Sequence, residues 1–148
     1  MTDENDLLAL LNSAPVIDGR IVETLTDPML IALRDDLHRV IRGTARRTAL
    51  SRYLTDVRQR PVLDEGGLRW IVEAPDAVLP CAELVLEWAR VERELPGRLR
   101  ACGNDECNKF LIDHSKPNTA RWCSMADCGN RMKARRHHAR RIGQAAGR

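Results

Sequence analysis

Four cysteines stand at Cys102, Cys107, Cys123 and Cys128, in the pattern C-x4-C-x15-C-x4-C. Thiolates are soft, strong zinc ligands, and two close pairs separated by a loop of this size can close a tetrahedral site around one Zn2+ ion. A set of four thiolates leaves no position open for water, so the expected role is structural rather than catalytic. The alternatives for the same residues are a pair of disulfides or free thiols. The total of five cysteines is odd. The first residues are acidic where a secretory signal would be basic, and no segment approaches the roughly 20 apolar residues that cross a bilayer. A cytoplasmic chain without a membrane partner is therefore expected, and reduced thiols there favour metal over disulfide. Cys81 opens an apolar helical pattern and reads as a small buried residue. His114, beside Asp113, reads as a surface or phosphate-contacting residue rather than a ligand.

Each cysteine pair must curl so that both sulfurs face one ion. Gly103-Asn104 suits a tight turn in the first pair, since both residues tolerate positive φ. In the second, Ser124 is placed to cap a helix with Asp127 three residues on. The helix expected from about Ser124 to Arg141 carries Arg131, Lys133, Arg135, Arg136, His137, Arg140 and Arg141, with Met132 and Ala139 as a narrow docking stripe. Like charges at Arg131/Arg135 and Arg136/Arg140 destabilise such a helix in isolation, and an anionic partner reverses that cost. Double-stranded DNA is the expected partner: phosphates take Arg and Lys, and a helix fits the major groove. Arg121 adds a cation close to the metal. Asn130 and Arg131 either read base edges or support the zinc loop. Scarce aromatic residues argue against a reader of single strands.

Charge divides the chain. Residues 1–96 hold 12 basic and 17 acidic side chains, a net of −5, whereas residues 97–148 hold 12 and 4, a net of +8. This split suggests a body domain at 1–96 and an anion-binding module at 97–148. The fold class expected is α+β and mostly helical: a small helical domain with one or two hairpin strands, then a four-cysteine module ending in a basic helix. Leu7 to Leu11 form a short helical side, and Asp18-Gly19 between β-branched pairs marks either a tight hairpin or an extended loop. Asp27-Pro28 starts a helix with apolar residues at Leu30, Leu33, Leu37, Val40 and Ile41. Within it, Asp35-Asp36-x-His38 reads as an exposed face rather than a catalytic group. A second helical run from Thr44 presents Arg46, Arg47, Arg52 and Arg58 to solvent and closes at Arg60-Pro61. Leu68 to Glu73 has strand composition after the Glu65-Gly66-Gly67 turn, and Ala77 to Leu95 is helical.

The segments Arg121-Trp122-Cys123-Ser124-Met125-Ala126, Cys128-Gly129-Asn130-Arg131 and Lys133-Ala134-Arg135-Arg136-His137 resemble the CGNR zinc-finger family, named for the tetrapeptide at 128–131. The pair at Cys102 and Cys107 and the following Phe110-Leu111-Ile112-Asp113 extend the resemblance over about residues 97–141. It implies that the four cysteines are zinc ligands and that the helix after them contacts DNA. Residues 7–95 are similar to a shortened form of the ABATE domain that often precedes this finger, described as a stress-induced transcription regulator. The expectation is therefore a transcription regulator whose N-terminal domain forms a homodimer or senses an effector of unspecified chemistry. Two other readings are an adaptor or RNA-binding module that docks an acidic partner, and a thiol redox switch. No nucleophile–base pair, open metal site or phosphate loop suggests an enzyme.

Overall fold

The computed structural model describes residues 1–147 and is α+β. Helix α1 (Glu4–Leu11) begins at Asp3, whose carboxylate accepts from the Asn5 and Asp6 amides while Asp6 reaches back to the Asp3 amide. This reciprocal cap satisfies donors that a helix start leaves free. Strands β1 (Val16–Ile17) and β2 (Arg20–Ile21) form the tight hairpin, with Asp18 and Gly19 both at positive φ. Helix α2 (Pro28–Ile41) is capped by Asp27 and starts with proline, whose missing N–H costs no bond at that position.

The run after Gly43 departs from expectation. It is a 3-10 helix over Arg47–Leu54 only, and the chain then enters strand β3 (Arg58–Asp64), paired antiparallel with β4 (Gly67–Glu73). Arg58 and Arg60-Pro61 are therefore strand residues and not the end of a helix. Pro61 faces Trp70 in the ladder. In a hairpin closed by Asp64 and Gly67 that pair is a non-hydrogen-bonded one, so the nitrogen of Pro61 turns outward and its missing N–H costs no ladder bond.

Helix α3 (Leu79–Glu94) follows, then a short antiparallel pair, β5 (Leu99–Ala101) with β6 (Phe110–Ile112). One apolar core joins α1, α2, the 3-10 segment and α3 to this last hairpin: Leu7, Leu11, Leu33, Leu37, Leu50, Val91, Leu99 and Phe110 are all buried in it. Cys81 lies there too, where burial pushes its thiol up to about 11.

Asp36 and His38 are buried rather than exposed. The Asp36 carboxylate accepts from Tyr53 Oη at 2.7 Å, from Arg52 at 2.5 Å and from Arg39. A buried carboxylate is tolerable when donors surround it this closely. The Nε2 of His38 meets the Leu11 carbonyl at the end of α1 at 2.8 Å, and its ring lies 4.4 Å from that of Phe110. Burial moves the His38 pKa down, so the ring is neutral. Arg47 and Arg52 pair with Glu92 and Asp36 at the edge of this core.

Candidate metal centre

The β5–β6 hairpin is the base on which the first cysteine pair stands. The Cys102 amide donates to the Lys109 carbonyl at 2.9 Å, prolonging the ladder by one step. The Cys107 amide donates to the Asn104 carbonyl at 2.9 Å, closing the turn that brings the second sulfur back to the first. The hairpin is itself tied to the body. Asn12 accepts from the Phe110 amide at 2.7 Å and donates to the Phe110 carbonyl, and Asn108 donates to the Ala14 carbonyl at 2.8 Å.

The second pair straddles a helix start. Ser124 caps it by accepting from the Asp127 amide. The first turn, Met125–Gly129, is wide: the Gly129 amide donates to the Ser124 carbonyl, five residues back, at 2.9 Å. This widened turn swings Cys128 inward, and helix α4 (Asn130–Ala146) continues from it.

All four sulfurs lie within 4.8 Å of one another. Cys107 to Cys123 and Cys123 to Cys128 are each 3.7 Å. Four sulfurs on a tetrahedron about 2.3 Å from a zinc ion are about 3.8 Å apart, so the separation fits that metal. A disulfide would need about 2.05 Å. N–H groups also point at sulfur, among them the Cys123 amide at Cys102 Sγ, 3.3 Å, and Asn104 Nδ2 at Cys128 Sγ, 3.4 Å.

The thiol acidities follow burial and crowding. Burial, then hydrogen bonding to the other sulfurs, pushes Cys123 up, and burial likewise raises Cys107. Burial opposes ionisation of Cys128 as well, but Asn104 and the neighbouring thiols more than offset it and its pKa falls. Four thiols this crowded cannot all ionise by mutual tolerance, and a divalent metal ion reverses that logic.

Space is tight at two glycines around the cluster. A Cβ on Gly103 would come 3.0 Å from the Arg121 carbonyl and 3.2 Å from the Trp122 ring. The Gly103 amide already bonds that carbonyl at 2.7 Å, so the two chains cannot part. A Cβ on Gly129 would fall 2.6 Å from Met125 Sδ and 3.3 Å from the same indole. Trp122 thus covers both cysteine turns, and the guanidinium of Arg121 lies 5.1 Å over its ring.

Between the pairs, Asp113 organises the connecting loop. It is buried and accepts from the Ser115 amide and hydroxyl, the Ala120 amide and Arg100. The bonds from Ser115 lead in holding its carboxyl down to about 2. His114 points away from the sulfurs and meets Glu4 at 3.1 Å.

Among the other helices and strands, α4 packs mainly on the turn it grows from. Met132 is half-buried, and Ala139 and every cation of the helix are exposed, so the anticipated docking stripe is reduced to Met132. The cations divide by position. Arg135 turns to the first cysteine loop and pairs with Glu106 at 2.5 Å, which holds that carboxyl below its usual range. Lys133, Arg136, His137 and Arg140 fall on the opposite side of the helix at spacings of three and four. Arg131 and Arg141 are exposed, and Asn130 donates to the Ala126 carbonyl across the wide turn at 3.4 Å.

Three contributors were not singled out from the sequence as site residues: Asn104, Glu106 and Trp122. Asn104 and Glu106 lie inside the first cysteine pair, where any polar side chain is close to a sulfur or to the facing turn. Trp122 adjoins a ligand, and a large ring at that place is itself a signal of cover.

Residues 98–141 match the family model of the CGNR zinc finger. No curated protein matches the chain.

Proposed function

Taking residues 98–141 as a CGNR zinc finger, we propose that the chain is a zinc-containing, DNA-binding regulator of transcription, working in the cytoplasm on the nucleoid. In this reading the four thiolates hold zinc as a structural cross-link, and α4 is laid against duplex DNA. The observation that carries it is the state of α4. It is a helix of 17 residues with six Lys and Arg, no carboxylate and no buried residue, anchored at its first turn by the cysteine cluster.

Such a helix has nothing of its own to pack against, and it gathers cations that repel one another. Phosphates relieve that repulsion and release counterions as they do so. The major groove admits a helix of this diameter. The side bearing Lys133, Arg136, His137 and Arg140 is free for phosphates, since Arg135 is engaged with Glu106 on the other. No helix among the described residues is long and apolar enough to cross a membrane, so a membrane-spanning role has no support from the helices.

The test is a salt titration of binding to random duplex DNA by fluorescence anisotropy, with and without a zinc chelator. Binding should need the metal and fall along a log–log line whose slope is about −0.9 per phosphate neutralised. Arg136→Ala with Arg140→Ala should flatten that slope by nearly two and leave zinc content unchanged. Absence of binding at low salt defeats the reading and directs α4 to an acidic protein. Binding untouched by chelation would mean that a basic tail acts without the metal centre.

A further inference from the structure

The β3–β4 hairpin has two unlike faces. The register places Gln59, Pro61, Leu63, Leu68, Trp70 and Val72 on one of them. No charged side chain is among these six. Leu63 is 79 % exposed, Leu68 62 % and Trp70 57 %. The opposite face holds the charges, four of which pair: Arg60 with Glu73 and Arg69 with Asp64, each at 2.7 Å.

Charged residues thus collect on one side of a ribbon that belongs to no larger sheet. A lone two-stranded hairpin is marginal in water, and antiparallel pairs normally turn their apolar face onto a core. Here most of that face, Leu63, Leu68 and Trp70 above all, is turned to solvent.

We propose that this face is the surface through which two copies of the chain associate, apolar ribbon against apolar ribbon. Three features select a second copy as the occupant. The face has no charge with which to recognise a charged partner, whereas it complements itself, as a two-fold interface must. The outer edge of β3 carries the nitrogen of Pro61, which cannot donate, so a peptide adding as a further strand would meet a gap there. The area also fits. Leu63, Leu68, Trp70 and Pro61 expose together roughly 400–500 Å2, given that an aromatic side chain alone accounts for about 150–250 Å2. Doubled, this is about 800–1,000 Å2, the size of weak and transient contacts, so the dimer is concentration-dependent rather than permanent.

The proposal does not depend on DNA or on the metal, and it is tested on the full chain by sedimentation equilibrium from about 1 to 200 μM, a range that brackets micromolar association. The mass should rise from 16.7 kDa toward twice that value. Trp70→Glu combined with Leu63→Glu should stay at the single-chain mass throughout, with circular dichroism and, at concentrations where the parent chain is also monomeric, a thermal midpoint like the parent's, because both side chains are exposed. Arg69→Gln, on the charged face, should associate as the parent chain does. Raised salt should leave apolar association intact or strengthen it. A single-chain mass at every concentration overturns the proposal and leaves the face to a partner of another kind. Association that survives in the double variant, or that salt abolishes, overturns it equally.

Discussion

Asn104 illustrates how much of a metal site rests on side chains that touch no metal. It is 3 % exposed, donates to Cys128 Sγ and accepts from the Glu106 amide, so one amide group orients a ligand and closes the turn between two others. Partners of this kind are worth about 10–100-fold in metal affinity. Asn104→Ala should weaken zinc retention by that factor in competition with a chromophoric chelator, and wild-type retention would show that the sulfurs need no such donor. Tyr53 permits a cleaner test, because it is the chain's single tyrosine. Burial, then its bond to the Asp36 carboxylate, pushes its hydroxyl up to about 12. An acid whose folded pKa exceeds its unfolded value of about 10 contributes stability that is present below pH 10 and is lost as pH rises toward 12. Tyrosinate absorbance should therefore titrate near 12 in the folded chain and near 10 in denaturant, and Asp36→Asn should lower the folded midpoint. A folded midpoint near 10 would refute the coupling. The burial of Asp36 and His38 was not legible in the spacing of α2. Both residues flank the apolar row of Leu33 and Leu37, and which flank is covered depends on the 3-10 segment and on Phe110, both remote in sequence.

Among the elements, the β5–β6 hairpin changes what metal loss should do. From composition, the finger has few apolar residues to hold it without zinc. The structure places Leu99, Phe110 and Leu111 in buried positions, with Phe110 2 % exposed and bonded through its backbone to Asn12. Chelation should therefore release the cysteine loops and α4 while β5 and β6 remain ordered. Hydrogen exchange should show protection lost at 123–146 and kept at 99–101 and 110–112; loss across the whole of 98–141 would mean that the metal holds the hairpin as well. The cysteine spacing and the Ser124 cap were readable because they are local. Strands of three residues are too short to show a period, and β3 was masked by Pro61, whose usual meaning as a stop fails where its nitrogen faces outward. The long strand β4, with its aromatic and β-branched run, was readable on the same grounds as the caps.

At the scale of the molecule, the acidic body and the basic finger are not two beads on a string. Leu99 and Phe110 enter the same core as α1, α2 and α3, and the ring of His38 rests on Phe110. The charge division read from the sequence therefore lies across a continuous apolar interior, which a charge count has no means of sensing. One consequence concerns α4, which spans about 25 Å at 1.5 Å per residue and is gripped only near its root. A rod held at one end is a lever. A tilt of about 10° at the cysteine turn displaces the far tip by about 4 Å over that length. The ion pair of Arg135 with Glu106 lies within two turns of the pivot and acts as a stay against such tilting. Small disturbances among the sulfurs are thus magnified several-fold at Gly143 to Ala146, so a probe attached at the tip reads the state of the metal centre at a distance.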